Sequence, residues 1–266
     1  MKIGSHEVTR LVAGANCING GSHLSRFTNE QMKRYFTRTR IHEHLRACEA
    51  EGINTWQSNY GNLDLYREHR EQGGTLQYLS LGGETENEPE NLRMAKEAGV
   101  LGIAHHGEVT DQKFKSGHFD EVREFCKQVR QTGMLVGISS HMPDAQQRVL
   151  EEGWDVDFLM CCIYERHRTR EELQALMGHV PLPVSEVYLE SDPPRMFHVI
   201  RQANIPCFAF KILAAGRLCD HQEDVEKAFQ STFAQIKASD GVIVGMYPEY
   251  EDQVGLNAGY VRKYGK

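Results

Sequence analysis

The sequence predicts an α/β protein of the (β/α)8 TIM-barrel class, and three observations lead there. Apolar, β-branched runs of strand length recur along the whole chain, separated by polar, helix-periodic stretches. Many of those stretches close on glycine, at Glu51-Gly52-Ile53, Ala98-Gly99-Val100, Thr132-Gly133-Met134, Glu152-Gly153-Trp154 and Asp240-Gly241-Val242. Each of these glycines fits a helix C-terminus, where a left-handed φ is needed and a Cβ would clash. Finally, runs such as Met134-Leu135-Val136-Gly137-Ile138 are apolar without alternation. Such strands are buried on both faces, as in a parallel sheet covered by helices.

The predicted strands are 10–16, 53–58, 76–82, 100–105, 134–139, 156–162, 206–212 and 241–245. Eight units of this kind close a barrel. Between them the helices are amphipathic: over 118–132, Phe119, Val122, Phe125 and Val129 recur at helical spacing and face the barrel as packing. The stretch 179–194 is too apolar for a flexible tether, so residues 1–266 are read as a single barrel domain.

Composition narrows the function. The chain has 266 residues, enough for one domain to bury roughly three quarters of its unfolded surface without a staple. The net charge of −7, with Lys and Arg scattered among acids, leaves no basic stripe for nucleic acid or an anionic membrane surface. No apolar run approaches the ~20 residues of a membrane helix, and the start Met1-Lys2-Ile3-Gly4-Ser5 has no signal-peptide core. A cytoplasmic location is expected. Seven cysteines, with no C-x-x-C, read as reduced thiols. The 13 histidines are left unexplained by class.

Active sites of such barrels form where strands end, so the strand-closing residues are the candidates. Asn16, Asn19, Gln57 and Asn59 offer amides for a hydroxyl-rich, sugar-like or carbonyl compound, although amides at loop starts also serve turns. His105, His106, Glu108, His141, Cys161, Cys162, Tyr164 and the later Glu186 bring N, S and O donors to the same rim. A divalent metal (Zn, Mn or Fe) suits that mixture, with His106, His141, Cys162 and Glu186 as the ligand set. Only one of Cys161 and Cys162 faces inward, because strand residues alternate. His105 and Cys161 are equally well read as buried packing. Lys211, after Phe208-Ala209-Phe210, is a desolvated base, a Schiff-base amine or a phosphate contact, or else a snorkelling surface Lys. His42 and His44 lie in a charged helix and are expected to be exposed. His23, His69 and His167 show no partner pattern, and Glu84-Thr85-Glu86-Asn87-Glu88 reads as a solvated loop entering a helix.

Several segments resemble the aldo-keto reductase superfamily. They are Ile3 to Gly14, Leu45 to Gly61, Val136-Gly137-Ile138-Ser139-Ser140, the turn Leu213-Ala214-Ala215-Gly216-Arg217-Leu218, and Val242 to Met246 followed by Asn257. The resemblance implies the barrel fold, a nicotinamide cofactor and a tetrad of Asp, Tyr, Lys and His. By position Gln57 replaces the Asp, Tyr60 keeps the Tyr with the spacing shortened, His106 keeps the His, and the Lys is missing from Tyr78-Leu79-Ser80-Leu81-Gly82-Gly83. The loop Tyr247-Pro248-Glu249-Tyr250-Glu251-Asp252 carries carboxylates that repel a 2′-phosphate, so NAD(P) is poorly supported.

Three functions follow. The first is a barrel repurposed for metal-assisted isomerase, lyase or hydrolase chemistry on a small sugar-like or carbonyl compound, with Tyr60, His106, Glu108 and Lys211 as catalytic groups. Here Asn16, Asn19, Gln57, Asn59, His105 and Tyr164 bind substrate. The second is an NAD(P)-dependent oxidoreductase with a rearranged tetrad, and the third a non-catalytic binder of a nucleotide or partner.

Overall fold

The computed structural model of the chain describes residues 1–182 and 186–266. A short antiparallel hairpin, β1 (Lys2–Ile3) and β2 (His6–Glu7), precedes eight parallel strands. These are β3 (Leu11–Gly14), β4 (Thr55–Asn59), β5 (Gln77–Gly82), β6 (Gly102–His105), β7 (Leu135–Ser140), β8 (Phe158–Cys162), β9 (Cys207–Phe210) and β10 (Gly241–Gly245). They pair in chain order and close when β10 meets β3, with Val242 opposite Leu11 and Gly245 opposite Gly14. The protein is therefore a (β/α)8 TIM barrel, and all eight predicted strand positions carry strands.

The helices are α1 (Arg26–Tyr35), α2 (Arg38–Ala50), α3 (Leu63–Glu71), α4 (Glu88–Glu97), α5 (Gly107–Lys115) and α6 (Phe119–Thr132), then α7 (Pro143–Glu151), α8 (Arg170–Met177), α9 (Pro193–Gln202), α10 (Gln222–Gln235) and α11 (Gln253–Tyr264). In α6 the predicted stripe Phe119, Val122, Phe125 and Val129 is buried. Gly52, Gly99, Gly133 and Gly153 all have positive φ at helix ends, as the joints require. Gly241 does not: it opens β10, and a Cβ there would meet the Arg10 carbonyl oxygen at 2.8 Å, so close strand contact is its reason. Part of the predicted 179–194 stretch, residues 183–185, lies outside the described residues. None of the described helices is long and apolar enough to cross a membrane.

Two apolar clusters divide the strand residues by face. Val12, Leu79, Ala104, Phe158, Met160, Phe208 and Ile243 fill the barrel interior, with Ile3 and Val8 from the hairpin region packed onto them. Trp56, Ile103, Val136, Ile138, Leu159, Cys161 and Ala209 pack outward against the helices. Gly137 makes room inside, since a Cβ would lie 2.4 Å from the Phe158 ring. This alternation settles which rim residues converge. His106 shares the inward face with Ala104, His141 with Gly137 and Ser139, and Cys162 with Met160. His105 and Cys161 fall on the helix side.

Candidate active site

The rim of the barrel gathers one linked set of ionisable groups. β7 ends at Ser140, and the next residue, His141, is buried and donates from Nδ1 to Asp111 Oδ2 at 2.8 Å. Asp111 comes from α5, where it also accepts from Ser140 Oγ (2.6 Å) and the His141 backbone N–H (3.2 Å). Gly107, the first residue of α5, permits that approach: its Cβ would meet Ser139 Oγ at 2.9 Å and His141 Cε1 at 3.1 Å. His167, in the loop after β8, packs its ring 4.8 Å from that of His141. One donor atom each from Asp111, His141 and His167 lie within 4.8 Å of one another. Desolvation dominates the electrostatics here. It raises the Asp111 carboxyl to about 6, against the Ser140 hydrogen bond, and holds His141 well below its usual value. Burial and the neighbouring Arg166 lower His167 to about 4, so both imidazoles are neutral.

Phe210, the last residue of β9, sets its ring 5.5 Å from that of His141 and leads into Lys211. Lys211 is half-buried, and desolvation lowers its pKa to about 8. It occupies the left-handed region at φ 58°, followed by Ala214 and Ala215 at 48° and 52°. Three non-glycine residues in that region store strain, a property that concentrates at functional sites. Lys211 Nζ donates to His23 Nε2 at 2.9 Å, and His23 Nδ1 donates to Glu186 Oε1 at 2.7 Å. Glu186 raises the His23 pKa through that bond, yet desolvation and Lys211 leave it below the ordinary histidine value. Glu186 also accepts from Arg166 (2.5 Å) and Tyr188 OH (3.0 Å). Burial opposes its ionisation, but His23 and Arg166 overcome this and hold it at about 2. Beside Lys211 opens a cavity of about 310 Å³ between the loops that follow β3, β9 and β10.

The sequence candidates divide accordingly. His141 joins the three-donor cluster, whose other members, Asp111 and His167, the strand-end reading missed. Glu186 is engaged with His23, Arg166 and Tyr188 rather than with His141. His106 turns its Nδ1 to Glu84, and Cys162 is buried with its thiol raised to about 12 by desolvation. Glu108, in the first turn of α5, lies 3.6 Å from Arg166. Asn16 and Gln57 line the cavity, with Asn16 Nδ2 3.3 Å from His23 Nε2. Asn59 instead accepts from the Gly61 N–H, a turn duty, and Asn19 accepts from Asn62, a bond that ties the loop after β3 to the one after β4. His105 bonds Thr110 Oγ1 and stacks edge-on against Phe125 in the helix layer, and Tyr164 packs on Tyr188. Tyr60 donates to the buried Glu88 at 3.0 Å, and burial with that carboxylate raises its pKa further. Residues 84–87 form an exposed loop entering α4, as expected, and Glu88 alone is buried, where it also accepts from the Gly83 N–H.

His42 and His44 are buried between helices, contrary to their expected exposure, because α2 turns that face toward α3 and Phe36. His69 is also fully buried.

Comparison with known proteins locates the fold. No family model matches the sequence, and no curated protein matches it either. Among solved structures it is similar to a truncated 3-deoxy-D-arabino-heptulosonate 7-phosphate synthase from Thermotoga maritima, at TM-score 0.56 and 11% identity over 99% of this chain and 89% of that one. It is also similar to QR15, an aldolase, at TM-score 0.53 and 14% identity over 98% and 97%. A phospho-2-dehydro-3-deoxyheptonate aldolase from Thermotoga maritima gives 0.55 and 12% over 99% and 70%. These identities carry the barrel fold alone. They correct the aldo-keto reductase resemblance: the similar solved structures are synthase and aldolase barrels. The nicotinamide expectation loses its basis with it, since Tyr60 is tied to Glu88.

Proposed function

We propose that the chain is a lyase-type barrel enzyme acting on a small carbonyl or sugar-like compound, with Asp111, His141 and His167 holding a divalent metal and Lys211 moving the proton. The observation that carries this reading is the Asp111–His141–His167 cluster, buried at Asp111 and His141, in which His167 Nε2 has no hydrogen-bond partner among the described residues. Two neutral imidazoles and a carboxylate suit zinc, manganese or iron, and three protein donors leave a position for substrate. Asp111 fixes the tautomer and orientation of His141, as carboxylates do for ligating histidines. Such a metal would supply Lewis-acid polarisation of a carbonyl oxygen.

The remaining chemistry belongs to the chain. A lysine with a pKa near 8 is available as a neutral amine near physiological pH. The hydrogen bond to His23 fixes Nζ, and Glu186 in turn fixes His23. In its neutral form Lys211 takes a proton from the carbon beside a carbonyl, or from a hydroxyl, and returns one to the product. The similar solved structures include a synthase and an aldolase, which agrees with chemistry of this class.

The test is deuterium wash-in from D2O at the carbon beside the carbonyl of dihydroxyacetone, followed by NMR with metal-loaded protein. Exchange lost on chelation and in Lys211→Met supports the reading. Exchange that survives both removes it.

A further inference from the structure

The cavity beside Lys211 has one polar end. Lys211 and His23, joined by their 2.9 Å hydrogen bond, both line it, and Asn16 stands next to them. Most other polar side chains of the wall are already engaged within the protein. Gln57 donates to the Ser58 carbonyl oxygen (2.9 Å), Gln222 to the Tyr260 hydroxyl (2.9 Å) and Ser22 to Asn29 Oδ1 (2.5 Å), while Gln253 accepts from the Tyr247 N–H (2.8 Å). Glu251 is exposed and keeps its hydration.

Away from that end the wall is apolar. Met32 from α1, Phe210 and Leu213 at and after the end of β9, Val225 from α10 and Ile243 from β10 supply the surface. The apolar character continues outside. Leu24, Phe27, Leu218 and Tyr250 are four of the six large apolar side chains exposed among the described residues. Leu24 is itself a wall residue, and the others directly precede the wall residues Thr28, Cys219 and Glu251 in sequence. Leu24, 52% exposed, lies against Gly216, where a Cβ would meet its Cδ1 at 3.2 Å, so it joins the loop after β3 to the one after β9. Exposed apolar side chains concentrated beside one cavity mark a site for an apolar group.

We infer that the compound taken here carries an apolar arm of about six carbons beside its carbonyl, with the arm on Met32, Leu213, Val225 and Ile243 and the carbonyl at Lys211. At water's ~30 Å³ per group, a cavity of about 310 Å³ holds roughly ten non-hydrogen atoms, which a hydroxyketone head and such an arm fill. A polyhydroxylated chain would instead lose its water to a wall that returns few hydrogen bonds. The arm rests on the apolar wall alone, and only the placing of the carbonyl rests on the proposed reaction.

The experiment is NMR titration of the intact protein at neutral pH with hydroxyacetone, 1-hydroxy-2-butanone, 1-hydroxy-2-hexanone, 1-hydroxy-2-octanone and octanoate, for wild type and Leu24→Ser. Affinity is expected to rise about threefold per methylene, and at least about a hundredfold from hydroxyacetone to the octanone, saturating at one molecule per chain. Leu24→Ser, at an exposed position outside the reacting groups, is expected to lose about threefold for the octanone and to bind hydroxyacetone as wild type does. Affinity flat along the series, octanoate bound more tightly than the octanone, or octanone affinity unchanged in Leu24→Ser would each overturn it. Deuterium exchange on the same ketones keeps the two readings apart. Affinity that climbs while exchange is absent supports the apolar site and counts against the proposed reaction, whereas flat affinity overturns the site whether or not exchange occurs.

Discussion

Replacing Lys211 with Met is expected to stabilise the protein while destroying its activity. The side chain is half-buried and its pKa lies at about 8 against an ordinary 10.5. At 1.36 kcal/mol per pH unit, that gap means the folded state loses about 3 kcal/mol by carrying the charged amine. The unfolded chain binds the proton up to about pH 10.5, whereas the folded chain releases it near 8. Wild-type stability therefore rises with pH between those values, and the full penalty applies below 8. Methionine keeps the length and removes the charge. Against the gain, His23 Nε2 loses its donor, which costs about 1 kcal/mol. The net is about 2 kcal/mol in favour of the variant at pH 7, roughly 5 °C in Tm for a chain of this size. Thermal and urea unfolding at pH 6.5, 8 and 10 measure it. The advantage should shrink steadily above pH 8, while proton exchange falls by about 10²–10⁴ throughout. A variant no more stable than wild type at pH 7, or one whose advantage ignores pH, refutes the desolvated-amine account.

Other substitutions separate the roles of neighbouring groups. Gly107→Ala places a methyl 3.1 Å from His141 Cε1, so overpacking of about 1–3 kcal/mol and weaker metal retention should appear together in unfolding and dialysis experiments. Tyr60→Phe removes the bond to Glu88 and should lower stability by about 1–2 kcal/mol in urea melts, with exchange activity kept within about twofold. Collapse of activity in a folded Tyr60→Phe protein would restore the phenol as a proton donor. Ala215→Gly relieves a residue at φ 52° and should raise stability by about 1 kcal/mol, readable as a higher urea midpoint.

Much of the fold was legible because its determinants are local. Unbroken apolar runs and glycine joints mark parallel strands and helix ends without reference to tertiary contacts. Register inside the barrel was also within reach once one inward residue is known, since Ala104 places His106 and Met160 places Cys162. The site was only half legible. His141 stands at a strand end, where the barrel rule looks. Asp111 sits inside a helix, one turn beyond Gly107, and reaches His141 only because α5 packs against β7. Its single signal was an acidic side chain one turn into the helix that follows His105-His106. His23 and His167 come from loops after β3 and β8, whose paths depend on tertiary packing. Tyr60 misled for the opposite reason: its position fitted a catalytic phenol, and only the folded chain brings Glu88 to its hydroxyl.

The central claim is that Asp111, His141 and His167 form the metal centre, and equilibrium dialysis with zinc, manganese and iron(II) tests it most directly. Wild type and His106→Ala, whose ring faces Glu84 instead, should each bind about one ion per chain, and His167→Ala should bind at least about tenfold more weakly. An ion bound equally well by His167→Ala, or no ion bound by the wild-type protein, would contradict the account.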